Sequence, residues 1–316
     1  MKKLSIIIPY KDSDKNIDRT LKSLKFQKVN YNDYEVLLID DFSNKKTTQI
    51  VKKYIAPFKN FKLYKSKKNT DGPGHARNIG INLSKGKYIL FLDSDDCLKN
   101  DSLKKILKII ETTKSDIYAF NFKVEDKMNN MKRSKRHDLK LLKLKKTEIL
   151  KKYLETSIVP QVISNLFSKK FIIKSKIKFT NGYFEDILFF FKSIFYAKTI
   201  NTNESILYIK HNIRNSIVNS LSEKHIHHHF KAYSDCFNFL KNKYKKKTKY
   251  FYVKGIIGMT AVYIKKISSS YVTQSKKNRF FDIIYKIYSK KLLASNLEYV
   301  YKSEKDKLVK NFFKHK

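Results

Sequence analysis

KYILFLDSDDCL, residues 87–98, joins an unbroken apolar run to an acidic one. Tyr88 to Leu92 offer no polar face, so a strand here must be covered on both sides, as the strands of parallel sheets are. Asp93, Asp95 and Asp96 follow at once. Three carboxylates in four positions repel one another unless a cation or hydrogen-bond donors lie among them. At the carboxyl end of a buried strand they face the crevice where open α/β sheets bind ligands. Hard oxygen ligands of this kind suit Mg2+ or Mn2+, usually held by one or two carboxylates plus substrate phosphates. The plainer alternative is an acidic loop ahead of the next helix, with Asp101 or Ser102 as its N-cap.

The chain on either side repeats the pattern. Leu4 to Pro9 (LSIIIP) reads as a buried strand, and Ile17, Leu21 and Leu24 recur at helical spacing behind Ser13 or Asp14 as cap. Tyr34 to Ile39 (YEVLLI) is a second strand ending in carboxylates, Asp40 and Asp41, with a helix over about 46–54 after it. Phe61 to Tyr64 is a third strand. The glycine-rich turn TDGPGHARN then opens a helix carrying Ile79, Ile81 and Leu83. Strand and helix alternating four times in about a hundred residues mark a doubly wound, mainly parallel sheet flanked by helices. A helix over 102–112 and a strand over 116–122 continue it. Residues 125–145 are polar and basic and read as a loop over the site. Beyond them come a helix over 147–154 capped by Thr147, an amphipathic stretch 165–173, a turn at Asn181-Gly182-Tyr183, an apolar helix led by Glu185 and Asp186, and a strand over 205–210. From about Ser222 the pattern is helical and rich in lysine and tyrosine. The expected division is therefore 1–221 and 222–316.

Composition bounds the rest. With 41% hydrophobic residues in 316, the chain is globular and long enough for a substantial core. Its two cysteines, Cys97 and Cys236, fit a reducing compartment. The apolar run in MKKLSIIIPYKD is too short for a signal-peptide core, and no stretch has the ~18 uninterrupted apolar residues of a spanning helix. The expected location is the cytoplasm, with attachment at the inner face of the membrane left open. A formal charge of +41 suits nucleic acid, an anionic membrane surface or a polyanionic substrate. Lysine is scattered rather than gathered in one arm, and no RNA-binding signature, zinc finger or helix-turn-helix pattern appears, so nucleic acid is not expected. His225, His227, His228 and His229 have no acidic partner nearby in sequence. A solvated or membrane-facing cluster suits them better than zinc.

In order and spacing, SIIIPYKD, VLLIDDFS, NTDGPGHARNIGI, YILFLDSDD and GYFEDILFF resemble the family 2 glycosyltransferases of the GT-A fold, over roughly residues 4–217. The resemblance implies an inverting transfer of sugar from a nucleotide donor, with UDP-sugars foremost, to a glycan or lipid-linked glycan in cell-surface polysaccharide synthesis. It puts Pro9 and Tyr10 at the nucleotide, Tyr10 stacking on the base, and Asp41, ahead of Asp40, accepting from the ring N–H of a uracil. Gly72, Gly74, Arg77 and Asn78 surround a helix amino terminus, which favours anions. Asp93 and Ser94 meet the donor. Asp95 binds the Mn2+ or Mg2+ that bridges the diphosphate, with Asp93 beside it and Asp96 as the competing ligand. Asp186 is the implied base, and Glu185 orients the acceptor or the base. His211, with Lys210 and Arg214 beside it, stands where the family usually has an arginine near the diphosphate. Two rivals remain: a non-catalytic membrane-docking or scaffold subunit of a glycan complex, and a nucleic-acid-binding protein.

Overall fold

The structure is a computed structural model that describes residues 2–126, 131–133, 139–158, 161–212, 220–241, 247–293 and 303–314. The chain forms two compact units: Met1–Leu144 with Gln161–Ser216, and Lys145–Pro160 with Ile217–Lys316. The second unit therefore takes a segment, 145–160, that the sequence division at 221 left with the first.

The first unit is built on β1 (Leu4–Tyr10), β2 (Tyr34–Asp40), β3 (Phe61–Lys65) and β4 (Tyr88–Phe91), paired in parallel in the order β3-β2-β1-β4. Every residue of β1, β2 and β4 is buried, as their unbroken apolar runs require. The connecting helices are α1 (Ile17–Lys25), α2 (Lys45–Ile55) and α3 (Gly74–Leu83). Ile17, Leu21 and Leu24 are buried on α1, but the cap position is Asn16, without a side-chain cap bond, rather than Ser13 or Asp14. On α2, Asn44 accepts from the Thr47 N–H.

Past β4 come the short β5 (Cys97–Leu98), α4 (Ser102–Thr112), β6 (Ile117–Asp126) and β7 (Met131–Arg133). Residues 127–130 and 134–138 of the basic segment lie outside the described residues. The α4 cap, Asp101, is left-handed (φ 59°) and makes no side-chain cap bond. In the second unit, α5 (Lys146–Leu154) starts one residue ahead of the expected Thr147 cap. The stretch expected to be simply amphipathic splits into β8 (Asn165–Ser168) and α6 (Lys169–Lys174). Then follow α7 (Glu185–Tyr196) and β9 (Ile200–Asn212), longer than the expected 205–210.

Among the described residues the sheet has nine strands, eight in the order β3-β2-β1-β4-β8-β6-β9-β5 and β7 on β6. β8 runs antiparallel between β4 and β6, β6 pairs parallel with β9, and β5 antiparallel with β9. The fold is thus the expected mainly parallel α/β sheet flanked by helices. β9 returns beside the acidic turn after β4 because β5, directly beyond that turn, pairs with Tyr208 and Ile209.

The second unit packs α5 with α8 (Glu223–Lys241), α9 (Lys247–Ser268), α10 (Gln274–Leu293) and α11 (Glu304–Phe312). Its core mixes aliphatic side chains such as Ile257, Ile267 and Ile284 with aromatic pairs: Phe237 stacks on Tyr252 with ring centroids 4.3 Å apart, and Tyr288 on Phe313. No helix among the described residues is long and apolar enough to cross a membrane. The histidine run is not one cluster. His225 Nδ1 lies 2.6 Å from the Ser222 hydroxyl, while His229 packs among Tyr233 and Tyr263. Burial drops the His229 pKa to about 4, so the solvated cluster expected from sequence holds only in part.

Candidate active site

Two acidic turns, 92 residues apart in sequence, are joined by one arginine. Arg77, 4% exposed, donates from one guanidinium nitrogen to Glu185 and from the other to Asp93 Oδ1 at 2.7 Å. Its planar fork also lies 5.3 Å from the centroid of the Phe179 ring. Burial works against its charge, but Asp93, Glu185 and Asp186 hold its pKa above the ordinary arginine value.

The glycine turn makes this junction possible. Gly72 has φ +71°, and a Cβ there would lie 2.2 Å from the Gly182 carbonyl. A Cβ on Gly74 would lie 2.3 Å from the Thr180 carbonyl. The Gly182 N–H donates to the Asp71 carbonyl at 2.8 Å. Asn78 closes the clamp, its amide donating to the Phe179 carbonyl and accepting from the Phe179 N–H, both at 2.9 Å. Gly72, Gly74 and Asn78, expected around an anion-favouring helix amino terminus, grip the backbone of 179–182, and both functional ends of the Asn78 amide are engaged there. Arg77, expected on phosphate or base, is the bridge between carboxylates.

The grip delivers two carboxylates at the start of α7, where the residue before them, Phe184, is left-handed (φ 63°). Glu185 is buried and tied to Arg77. Asp186 is partly buried, and its carboxylate makes no ion pair and no bond to another side chain among the described residues. Burial raises its pKa, with Arg77 and Lys210 opposing and Asp93 adding. The Glu185 carboxyl is raised by burial as well, against the pull of Arg77.

Asp93, Asp95 and Asp96 each offer an oxygen within 4.8 Å of the others. Burial and the Asp93 charge push the Asp95 carboxyl up to about 6, with Lys210 and Arg19 opposing. Asp96, 1% exposed, is engaged at both oxygens: the Tyr208 hydroxyl donates to Oδ2 and the His211 N–H to Oδ1, each at 2.7 Å. Mutually repelling carboxylates on one turn form a hard-oxygen set that fits Mg2+ or Mn2+. Asp93 and Asp95 would hold the ion, since Asp96 is committed elsewhere. The Ser94 hydroxyl lies 2.8 Å from that of Ser13, and Thr20 donates to the Ser94 carbonyl, so Ser94 binds its turn to the loop after β1.

At the other acidic pair the structure separates two neighbours. Asp40 accepts from the Ser43 N–H at 2.8 Å and the Thr48 hydroxyl at 3.2 Å. Asp41 is 4% exposed, and its Oδ1 has no hydrogen-bond partner among the described residues. Burial raises its pKa against Lys11, Ser66 and His75. An orphaned buried acceptor of this kind fits a ligand N–H.

Three expectations are corrected. Pro9 and Tyr10 do not leave β1 for the crevice; both stay in register, opposite Ile39 and Asp40. Strand alternation puts Tyr10 on the same face as Ile6 and Ile8, in the core with Leu21 and Leu24, 2% exposed. No ring face is left for a base, and burial next to Asp40 raises the Tyr10 pKa. His211 Nε2 sits 3.5 Å from Glu125 Oε2. On β9 it is Lys210 whose charge opposes the burial-driven rise of the Asp95, Asp96 and Asp186 pKa values. Arg214 lies outside the described residues. The Lys11 ammonium, 2.7 Å from Asn69 Oδ1, borders Asp41, and sequence reasoning missed both Lys11 and Asn69.

Known proteins resemble this chain in sequence and in fold. Among curated relatives, the poly(ribitol-phosphate) β-N-acetylglucosaminyltransferase TarS of Staphylococcus aureus is 36% identical over 39% of this chain and 21% of its own length. TarP of the same species is 31% identical over 57% of this chain and 53% of its own. The chain thus spans about a fifth to a half of these relatives. The crystal structure of S. aureus TarS 1-349 in complex with UDP-GlcNAc superposes with a TM-score of 0.59, at 19% identity over 95% of each chain. A mannosyltransferase from Pyrobaculum calidifontis, in complex with GDP-Man and Mn2+, gives 0.54 at 11% identity over 100% of this chain and 89% of its own. These structures share the fold. The profile of "Glycosyl transferase family 2" matches residues 5–175, which contain both acidic pairs after β2 and β4 and the Arg77 turn, and the chain belongs to that family.

Proposed function

We propose that the chain is a metal-dependent inverting glycosyltransferase that moves a sugar from a UDP-sugar to a hydroxyl of a cell-surface glycan. The observation that carries the reading is Asp186: a partly buried carboxylate with no ion pair among the described residues, fastened through Glu185 and Arg77 to the acidic turn that would hold the donor. Asp41 Oδ1 accepts from the ring N–H of the base. Asp93 and Asp95 hold the divalent ion, which when bound offsets the charge of the departing diphosphate. Lys210 adds a second positive charge on that side. The acceptor hydroxyl gives its proton to Asp186 as its oxygen bonds to the anomeric carbon and the bond from that carbon to the diphosphate oxygen breaks. Attack opposite the leaving group inverts the anomeric centre. The α7 amino terminus favours the ionised form that a base needs.

The acceptor we favour is anionic. The named relatives act on poly(ribitol-phosphate), a polyanion, and a +41 chain attracts one. The test is a screen of nucleotide sugars with Mn2+ and anionic or neutral glycans, reading nucleoside diphosphate release and the anomeric configuration of the product. A UDP-sugar turned over with inversion supports the reading. Retention of configuration, or no turnover with any donor, counts against it.

A further inference from the structure

Tyr208 is fully buried, yet its hydroxyl is engaged at both ends. It accepts from the Asp93 N–H at 3.2 Å and donates to Asp96 Oδ2 at 2.7 Å. The other Asp96 oxygen accepts from the His211 N–H, and the Asp96 N–H donates to the Asp93 carbonyl at 3.1 Å. One tyrosine and one aspartate thus close a ring of bonds through the acidic turn and lock it to β9. That strand also carries Lys210, whose charge favours the ionised forms of Asp95 and Asp186. Asp95 is the member of the turn left out of the ring.

We infer that Tyr208 and Asp96 are positioning residues for the divalent ion: Asp96 is a buckle that sets the spacing of Asp93 and Asp95, not a third ligand. The inference rests on the metal-dependent reading above. A carboxylate whose two oxygens each accept from a donor fixed on β9 is held in one orientation, with half of its lone pairs already used. Freed of the buckle, the turn must order itself each time the ion binds. Partners one shell out from a metal typically change its affinity about 10- to 100-fold.

The experiment uses the full chain and two readouts. Free Mn2+ is titrated in the presence of UDP by electron paramagnetic resonance, and amide hydrogen exchange is followed over 92–98 without metal. Tyr208→Phe keeps the ring and its packing but cuts both hydroxyl bonds. It should weaken Mn2+ binding about 10- to 100-fold and speed exchange in the turn. Asp96→Asn should weaken binding to a similar extent, and the double variant little further, because both residues belong to one ring of bonds. Asp95→Asn, removing a ligand, should abolish binding.

If Asp96→Asn is as severe as Asp95→Asn, Asp96 is a ligand and the inference fails. It also fails if Tyr208→Phe leaves both Mn2+ affinity and exchange unchanged. If the wild type binds no Mn2+ with UDP, the metal-dependent reading fails, and hydrogen exchange alone decides whether the buckle exists.

Discussion

Glu185 and Asp186 are adjacent carboxylates with separate jobs, and the difference comes from Arg77. The guanidinium is buried, so it needs both of its carboxylate partners. Glu185→Gln takes away one charge and leaves the other buried, a change that commonly costs about 3–5 kcal/mol. Its melting temperature should fall clearly. Asp186→Asn removes no partner, so melting and UDP affinity should hold while kcat drops about 10²–10⁴-fold, the usual worth of a general base. Normal turnover in Asp186→Asn would mean the proton goes elsewhere.

Asp95 yields a pH prediction at the same scale. Its carboxyl, pushed up to about 6, binds a proton more tightly folded than unfolded. Ionising it therefore costs stability as pH rises from the ordinary carboxylate range through about 6. Without metal, Asp95→Asn should melt higher than the wild type at pH 7.5 and match it near pH 4. Mn2+ with UDP should raise the wild-type melting point at pH 7.5 but not that of the variant. A difference that stays flat with pH would show that Asp95 carries no such strain.

Among the elements, β1, β2 and β4 could be read directly, because a strand buried on both faces has to be a mostly apolar run. The carboxylates at the strand ends were equally plain. Elements that depend on distant partners were not. β8 is four residues of NLFS, and only its antiparallel place between β4 and β6 makes it a strand. Tyr10 looked like a loop aromatic because nothing local says that β1 continues one residue past Pro9. Asn78 looked like a phosphate ligand because its true partner, Phe179, is 101 residues away. Glycine spacing shows that two surfaces come close, without saying whether the second is a ligand or backbone.

The clamp can be tested against a glycine of the second unit. Gly74→Ala forces Cβ to within 2.3 Å of the Thr180 carbonyl, so backbone must move. Overpacking of this sort costs about 1–3 kcal/mol, and it should displace Asp186 and lower kcat as well. Gly258→Ala sits mid-helix and meets only the Thr156 hydroxyl, at 3.1 Å. Alanine favours a helix by about 0.8–1.0 kcal/mol over glycine, so this variant should be neutral or more stable in urea unfolding. Equal behaviour of the two would remove the argument that the DGPG turn is a clamp.

For the whole molecule the open question is what a charge of +41 serves. The lysines lie in both units, so no single arm accounts for it. Carboxylates line the candidate site, and phosphate backbones would be repelled there, so nucleic acid is a poor match. An anionic acceptor and an anionic membrane leaflet are both attracted by long-range charge, but they differ in what salt changes. Attraction between exposed charges fades once the Debye length shrinks, from about 10 Å at 0.1 M to about 3 Å at 1 M. If the charge recruits the acceptor, KM for an anionic glycan should rise steeply with salt while hydrolysis of the small donor changes little. If it also holds the chain at a leaflet, the protein should sediment with vesicles containing anionic lipid, not with neutral ones, and salt should release it. Tyr271 just ahead of α10 and Leu293 at its end are exposed, as are Lys276 and Lys290 on the helix between them, the residue types that meet such a surface. Charge reversal of Lys276, Lys286 and Lys290, all exposed on α10, should then abolish sedimentation and leave donor hydrolysis intact. Equal sedimentation with both vesicle types, together with a salt-independent KM, would leave the lysines as a solvated coat with no partner to recruit.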